Sequence, residues 1–266
     1  MLTRSRLSYS LAVPLALSAL LAFKPTAETH ETRELPAFSA VQLGTNAKVI
    51  VRQGSPQRVV VEADPAVLLK LQTEVVNNQL RIHTELISTQ VGSLKLWEKR
   101  TRLAGPVVVY VTLPTVRGLA VSSSGRLQAD TLSASQLALS VSSSGRLLVG
   151  QVQASRVRAV LSSSGQLNIK QLRADTLVAG VSSSGSLTAA GTCGYSSVGI
   201  SSSGHLNTAG LAVEVCQARV SSSGSCQVNV ARTLDARLSS SGSVLVSGHP
   251  QITSHTSGSG RVRLAQ

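Results

Sequence analysis

Acid–base chemistry on a sugar polymer needs carboxylates held in one groove, and the second half of the chain offers three aspartates, Asp130, Asp175 and Asp235. They fall five, ten and eleven residues after the glycine of the nearest preceding Ser-Ser-Ser-Gly tetrad, so their spacing does not align them on one face. A calcium-binding nonapeptide coil would need an Asp in every turn, and this chain lacks it. The five histidines, His30, His83, His205, His249 and His255, show no paired metal-ligand spacing alongside Cys. A hydrolytic serine needs a base and an orienting acid, and a serine repeated at every period is structural first. No catalytic residue, metal or cofactor is therefore expected, and the chain reads as a non-enzyme.

The remaining chemistry is charge. The sequence has 25 Lys and Arg against 12 Asp and Glu in 266 residues, a net +13. Without Arg4, Arg6 and Lys24 of the N-terminal segment it is 22 against 12, still +10. Arg126, Arg146, Arg156, Arg158, Arg219, Arg237, Arg261 and Arg263 are spread along the second half. A basic face attracts acidic glycans or lipopolysaccharide phosphates; scattered arginines can equally serve to solvate a sheet-rich surface. Recognition of nucleic acid by stacking needs aromatic platforms, and aromatics are 2% of the chain. The densest basic stretch lies in segment 85–105, where Lys95, Lys99, Arg100 and Arg102 surround the lone Trp97. It reads as an excursion from the main framework and supplies the candidate binding residues. The alternative is a solvated turn with Trp97 tucked against the framework.

These groups are positioned by a repeat. Ser-Ser-Ser-Gly occurs seven times, with a degenerate eighth copy, ending at Gly125, Gly145, Gly165, Gly185, Gly204, Gly224, Gly242 and Gly260. Successive glycines are separated by 20, 20, 20, 19, 20, 18 and 18 residues, which marks a solenoid. Apolar residues recur eight and four positions before most of these glycines and two and four after them, as in Leu137, Val141, Leu147 and Val149, with Ser196 and Thr208 as polar exceptions. Even offsets mean strand, not helix. Like side chains then stack on like in a parallel β-helix with coils ~4.8 Å apart, and seven steps give a rod roughly 34 Å long. A leucine-rich repeat would require an Asn ladder and a helical return, and neither is present. Glycine is expected where each coil bends or where the chain closes on the interior, and the serine hydroxyls are expected to bond within or between coils.

Residues 35–116 are less regular but sheet-like, and with the repeats of 117–266 they form one continuous domain, 35–264. Val49-Ile-Val51, Val59-Val-Val61, Leu80-Arg-Ile82 and Val107–Leu113 read as strands, with a helical turn at 64–71. Ahead of them, Arg4 and Arg6 precede the uncharged run Leu11–Phe23, too short to cross a bilayer and suited to an export signal covering residues 1–27. No later segment is long and apolar enough to span a membrane. Cys216 and Cys226 fall at core-facing offsets, Cys193 has no such register, and no disulfide is expected within that pair of coils.

The order Phe38…Val41, Val49-Ile-Val51-Arg-Gln-Gly54, Val59-Val-Val-Glu62, Thr73-Glu-Val75, Leu80-Arg-Ile82 and Val109-Tyr-Val-Thr-Leu-Pro114, followed by Ser/Gly repeats, resembles the GIN-type auto-transporter adhesin head domain of exported bacterial proteins. The resemblance covers roughly residues 35 to 264. It implies a right-handed parallel β-helix, an all-β fold, and an address in the periplasm or at the outer surface. It also implies a role in adhesion or envelope binding. No membrane barrel follows the repeats before Gln266, so a self-contained autotransporter is not expected. The partners expected are anionic envelope glycans or another surface protein, with end-to-end self-association through open coil edges as a further option. A structural or envelope-assembly protein without soluble ligand is the alternative reading, and a polysaccharide-processing β-helix enzyme the third.

Overall fold

Strands rich in Val, Leu and Ile alternate inward and outward until small or turn-forming residues let the chain change direction, and this chain repeats that cycle about seven times as a β-solenoid. The computed structural model describes residues 29–265 apart from 92, 93 and 101, and leaves the side chains of 86–101 aside. The expected export signal, residues 1–27, lies outside the described residues. The irregular part comprises β1 (Thr29–Arg33), β2 (Ala40–Leu43), β3 (Lys48–Gln53), β4 (Arg58–Ala63), α1 (Pro65–Leu68), β5 (Leu71–Val76), β6 (Gln79–Thr84), β7 (Leu86–Val91), β8 (Leu94–Arg100), β9 (Val108–Leu113) and β10 (Gly118–Val121). The helical turn expected at 64–71 is α1, where Asp64 Oδ1 accepts from the Ala66 N–H at 2.8 Å. Its Val67 and Leu68 are buried with Phe38 and Leu71 in the core, at the end of the solenoid where β4 and β5 lie.

The regular part is six long strands, β11 (Arg126–Val141), β12 (Arg146–Leu161), β13 (Gln166–Val181), β14 (Ser186–Ile200), β15 (His205–Val220) and β16 (Ser225–Ser240). They are followed by β17 (Ser243–Ser247), β18 (Gln251–Gly258) and β19 (Arg261–Leu264). Each long strand pairs in parallel with the next. In β12 the inward residues are Leu147 and Val149, then Val152 and Ala154, then Val157, Ala159 and Leu161. Two outward residues, Gly150 with Gln151 and Ser155 with Arg156, separate these runs, and the tetrad Ser142–Gly145 turns the third corner. Every coil thus has three flat faces. The two that flank the tetrad carry the even offsets found in the sequence. The third, with Leu132, Val152, Leu172 and Leu211 inward, has odd offsets that the spacing did not reveal.

The tetrad is a corner, and its glycine is there for space. A Cβ on Gly165 would lie 2.7 Å from the Val141 carbonyl oxygen, and one on Gly145 would lie 2.6 Å from Val121 Cγ1 and 2.8 Å from the Ser123 oxygen. None of the tetrad glycines has positive φ. The residue in the left-handed region is the middle serine: Ser143, Ser163, Ser183, Ser202, Ser222 and Ser240 all have φ of 53–57°. This divides the role that the sequence assigns to glycine between two residues. The turn closes with the glycine N–H donating to the first serine's carbonyl, as in Gly165 to Ser162 at 3.1 Å. The first hydroxyl reaches back to the preceding coil, where Ser182 Oγ donates to Leu161 O at 3.2 Å and Ser221 Oγ to Ile200 O at 3.3 Å. From Ser143 to Ser241 the second and third serines of every tetrad are exposed, forming a ridge along the solenoid.

Coils of 18 and 19 residues lose their residues at the third face, where the register breaks between Ile169/Leu172 and between Thr208/Ala212. The faces beside the ridge keep their register. Two substitutions in one tetrad should have opposite signs in urea denaturation. Gly165→Ala should destabilise by about 1–3 kcal/mol because backbone, not a flexible side chain, fills the space. Ser163→Gly should be neutral or stabilising by up to about 1 kcal/mol as left-handed strain is relieved. Equal tolerance of both would refute the division of roles.

Candidate functional site

The excursion at 85–105 is a hairpin: β7 and β8 pair antiparallel in a two-stranded sheet of their own, apart from the main sheet. Lys95, Trp97, Lys99 and Arg100 all lie on β8, and their side chains fall outside the described ones. The segment leading from β8 to β9 is pinned by Asn46, whose Nδ2 donates to Leu103 O at 3.1 Å while its Oδ1 accepts from Leu103 N–H at 3.0 Å. Arg102 is thereby held beside a hollow of about 460 Å³ that also includes Thr45, Asn46, Ser123 and Ser124, at the start of the serine ridge.

The arginines that the sequence shows as scattered are sorted by the register. Lys48, Arg126 and Arg146 stand directly opposite one another on β3, β11 and β12. All three are exposed, and none makes an ion pair or side-chain hydrogen bond among the described residues. Neither outward ladder of this face carries a carboxylate from Lys48 through Arg263. Beside the cations a hollow of about 450 Å³ is lined by Gln128, Gln166, Asn168, Ser186 and Thr188 with Arg126 and Arg146. Like charges directly opposite on neighbouring strands repel, so an anion laid across them relieves a standing unfavourable contact. Lys48 was not singled out from the sequence. Aligning Lys48-Val-Ile-Val51 with Arg126-Leu-Gln-Ala129 would have found it.

Asp130, Asp175 and Asp235 occupy three different columns. Asp235 is on the face that precedes the tetrad, beside Gln217, and pairs with Arg237 at 3.3 Å. A hollow of about 850 Å³ runs along the third face past Ser133, Gln153, Arg173, Asp175, Thr192 and Glu214. Glu214 there faces Arg232 at 3.7 Å. At the irregular end a hollow of about 670 Å³ contains Arg81, Glu85 and the His83–Glu74 pair, 3.2 Å apart. Among the described residues no group of three or more His, Cys, Asp or Glu could hold a metal ion.

All three cysteines are free and buried. Cys193 does have a core register, between Ala174 and Val213, because its coil is one residue short upstream. Burial raises all three thiol pKa values, to about 12 for Cys216, and the neighbouring thiol adds to the rise at Cys216 and at Cys226.

Stacked coils with a packed interior and a charged, hydroxyl-bearing exterior define the chain as a β-solenoid. The chain belongs to the family described as "Putative auto-transporter adhesin, head GIN domain", whose model matches residues 37–250. Among solved structures, a "putative lipid binding protein" from Parabacteroides distasonis superposes with a TM-score of 0.83 at 18% identity, covering 90% of this chain and 97% of that one. A "putative adhesin" from Parabacteroides merdae gives 0.80 at 16%, with 90% and 96% covered, and one from Bacteroides fragilis 0.60 at 17%, with 89% and 95% covered. These likenesses are of fold. No curated protein matches the sequence.

The thiols yield a check on the core. At pH 8 iodoacetamide should leave Cys193, Cys216 and Cys226 unmodified in the folded protein and alkylate all three in denaturant, read by intact mass. Folding stability should fall as pH rises past 9.0, the ordinary thiol value, because the unfolded chain then sheds protons that the fold retains. Native labelling at pH 8 would mean the coils open locally.

Proposed function

We propose that the protein is an exported, non-enzymatic binding module of the bacterial envelope that engages anionic surface polymers through the wall beside its serine ridge. The single observation that carries this reading is the in-register ladder Lys48–Arg126–Arg146, unpaired among the described residues, on outward ladders that carry no carboxylate from Lys48 through Arg263. Membership of an adhesin-like family supports it, as does the basic balance that remains without the N-terminal segment. Long-range attraction brings a polyanion to such a face, and bidentate guanidinium contacts then hold its acidic groups. A lipid ligand of the kind named for the P. distasonis neighbour fits less well. The interior between the coils is filled by Val, Leu, Ile and Ala side chains, most of them under 5% exposed. The hairpin residues Lys95, Trp97, Lys99 and Arg100, with Arg102 at the ridge, form a second contact region on this reading.

The test is binding of the mature protein to a panel of anionic and neutral envelope polysaccharides and lipopolysaccharide as salt rises to physiological. Saturable binding to anionic members is expected. The combined change Lys48→Ser, Arg126→Ser and Arg146→Ser should weaken it about tenfold or more, close to 1.4 kcal/mol at the lower bound, and flatten its salt dependence. The set Lys95→Ser, Lys99→Ser, Arg100→Ser and Arg102→Ser reports on the hairpin in the same assay. Absence of binding at physiological salt, or indifference to the ladder substitutions, would transfer the reading to a structural envelope protein. Export is checked by N-terminal sequencing of the envelope-associated protein, which should begin near Phe23 or Glu28.

A further inference from the structure

We propose that the polymer is an acidic polysaccharide laid lengthwise on the serine ridge and held at a second cationic site, Arg219 with Arg237, on the opposite side of the ridge from the ladder. This rests on the reading above and adds the ligand class, the path and a second set of contacts. Arg219 and Arg237 stand directly opposite each other on β15 and β16, with His255 next in the same column on β18. Arg219 has no ion pair or side-chain hydrogen bond among the described residues, and Arg237 has only Asp235 of its own strand. A hollow of about 470 Å³ lies between this pair and Ser201, Ser221 and Ser239, the half-buried first serines of their tetrads at the foot of the ridge.

The preceding coil presents Gly199 in that column, and the coil before it Gly180. A Cβ on either would meet nothing within 4 Å, and neither has positive φ, so neither packing nor conformation calls for glycine there. The effect is a bare backbone floor next to two guanidinium groups, where a ligand can come close. The glycines shape the hollow; the paired guanidinium groups supply its chemistry.

The ladder ends at Arg146, just after Gly145, and Arg219 lies just before Ser221, so the two sites are four coils, roughly 19 Å, apart along the axis. Between them the second and third serines of each tetrad face outward, one coil step after another. Two cationic sites joined by an uncharged comb of hydroxyls match a chain that carries acidic groups at intervals on hydroxyl-bearing rings. Guanidinium forks meet the carboxylates or sulfates, and serines exchange hydrogen bonds with ring hydroxyls. A polyphosphate offers charge throughout and no ring hydroxyls. A single lipid headgroup cannot reach both sites.

The experiment is calorimetric titration of the full protein with oligogalacturonates of defined length, alongside polyphosphate of matching length. Short oligomers should bind weakly at one site. Oligomers long enough to span both should gain about tenfold or more, since the second contact becomes intramolecular. Arg219→Ser with Arg237→Ser should return long oligomers to the affinity of short ones and leave short-oligomer binding at the ladder unchanged. Gly199→Leu, which fills the hollow and keeps the charge, should do the same. If long oligomers bind the Arg219/Arg237 variant as they bind the wild type, the second site is refuted while the ladder stands. If polyphosphate binds as tightly as the oligogalacturonate, the ridge hydroxyls contribute nothing and the ligand class is wrong. If the ladder substitutions also have no effect, the reading beneath both fails.

Discussion

Successive coils meet at the serine corner with no room for a single Cβ. At Gly125 the clash would be with the Thr45 carbonyl oxygen at 2.3 Å, at Gly165 with that of Val141 at 2.7 Å, and at Gly242 with that of Val220 at 3.0 Å. Because the obstacle at these positions is backbone of the preceding coil, one coil cannot shift to accommodate a side chain without moving its neighbour. The corner is therefore the line along which every coil is indexed to the next, and the β-bridges beside it run residue for residue from β11 to β16. From the second tetrad on, the price is the left-handed conformation imposed on the serine two residues earlier, Ser143 through Ser240. A short hydroxylated side chain tolerates that conformation better than a bulky or β-branched one.

Insertions and deletions must then be absorbed elsewhere, and they are. The 19-residue coil closes with Gly191 at φ +122°, its Cβ position 2.1 Å from the Leu172 oxygen, and the shortened β16 coil slips register near Ala212 and Val215. Both events are on the third face or its corners. The two faces beside the ridge consequently keep the one-coil spacing that lets a column of equal charges persist, and both cationic clusters are found there. Register that is held at one corner and relaxed at the far side separates a recognition surface from a tolerant one within a single coil.

The tetrads and the even offsets were enough to give the solenoid, its coil length, the inward Leu and Val columns of two faces and the core positions of Cys216 and Cys226. The third face escaped because each two-residue corner changes parity. In a full-length coil an even rule cannot reach its inward positions, since Val152 and Val213 fall seven and nine residues after their glycines. Cys193 escaped for a related reason, since the deletion at Gly191 moves it one place against the count. Lys48 escaped because β3 belongs to a segment without a tetrad, and only the pairing of Lys48 with Arg126 shows that it continues the same column. Local periodicity reports which way a side chain points; which distant residue lies beside it depends on coil length summed over the intervening chain.

A solenoid turns a one-residue choice into a linear array, which bears on why its charges are worth reading as a surface. Scattered cations serve solubility best when they alternate with anions or stand apart. Here Lys48, Arg126 and Arg146 are consecutive in one column and Arg219, Arg237 and His255 in another, while Asp175 and Glu214 line the third-face hollow, Asp235 pairs with Arg237 from the next outward position, and Glu62 stands beyond Val108. Stacking equal charges at the coil spacing works against the fold by mutual repulsion, and the same register that tightens the serine corner prevents those strands from sliding apart to relieve it. The arrangement is explained if a polyanion completes the surface: the ridge fixes the spacing, and the spacing sets the charge pattern that the polymer must match.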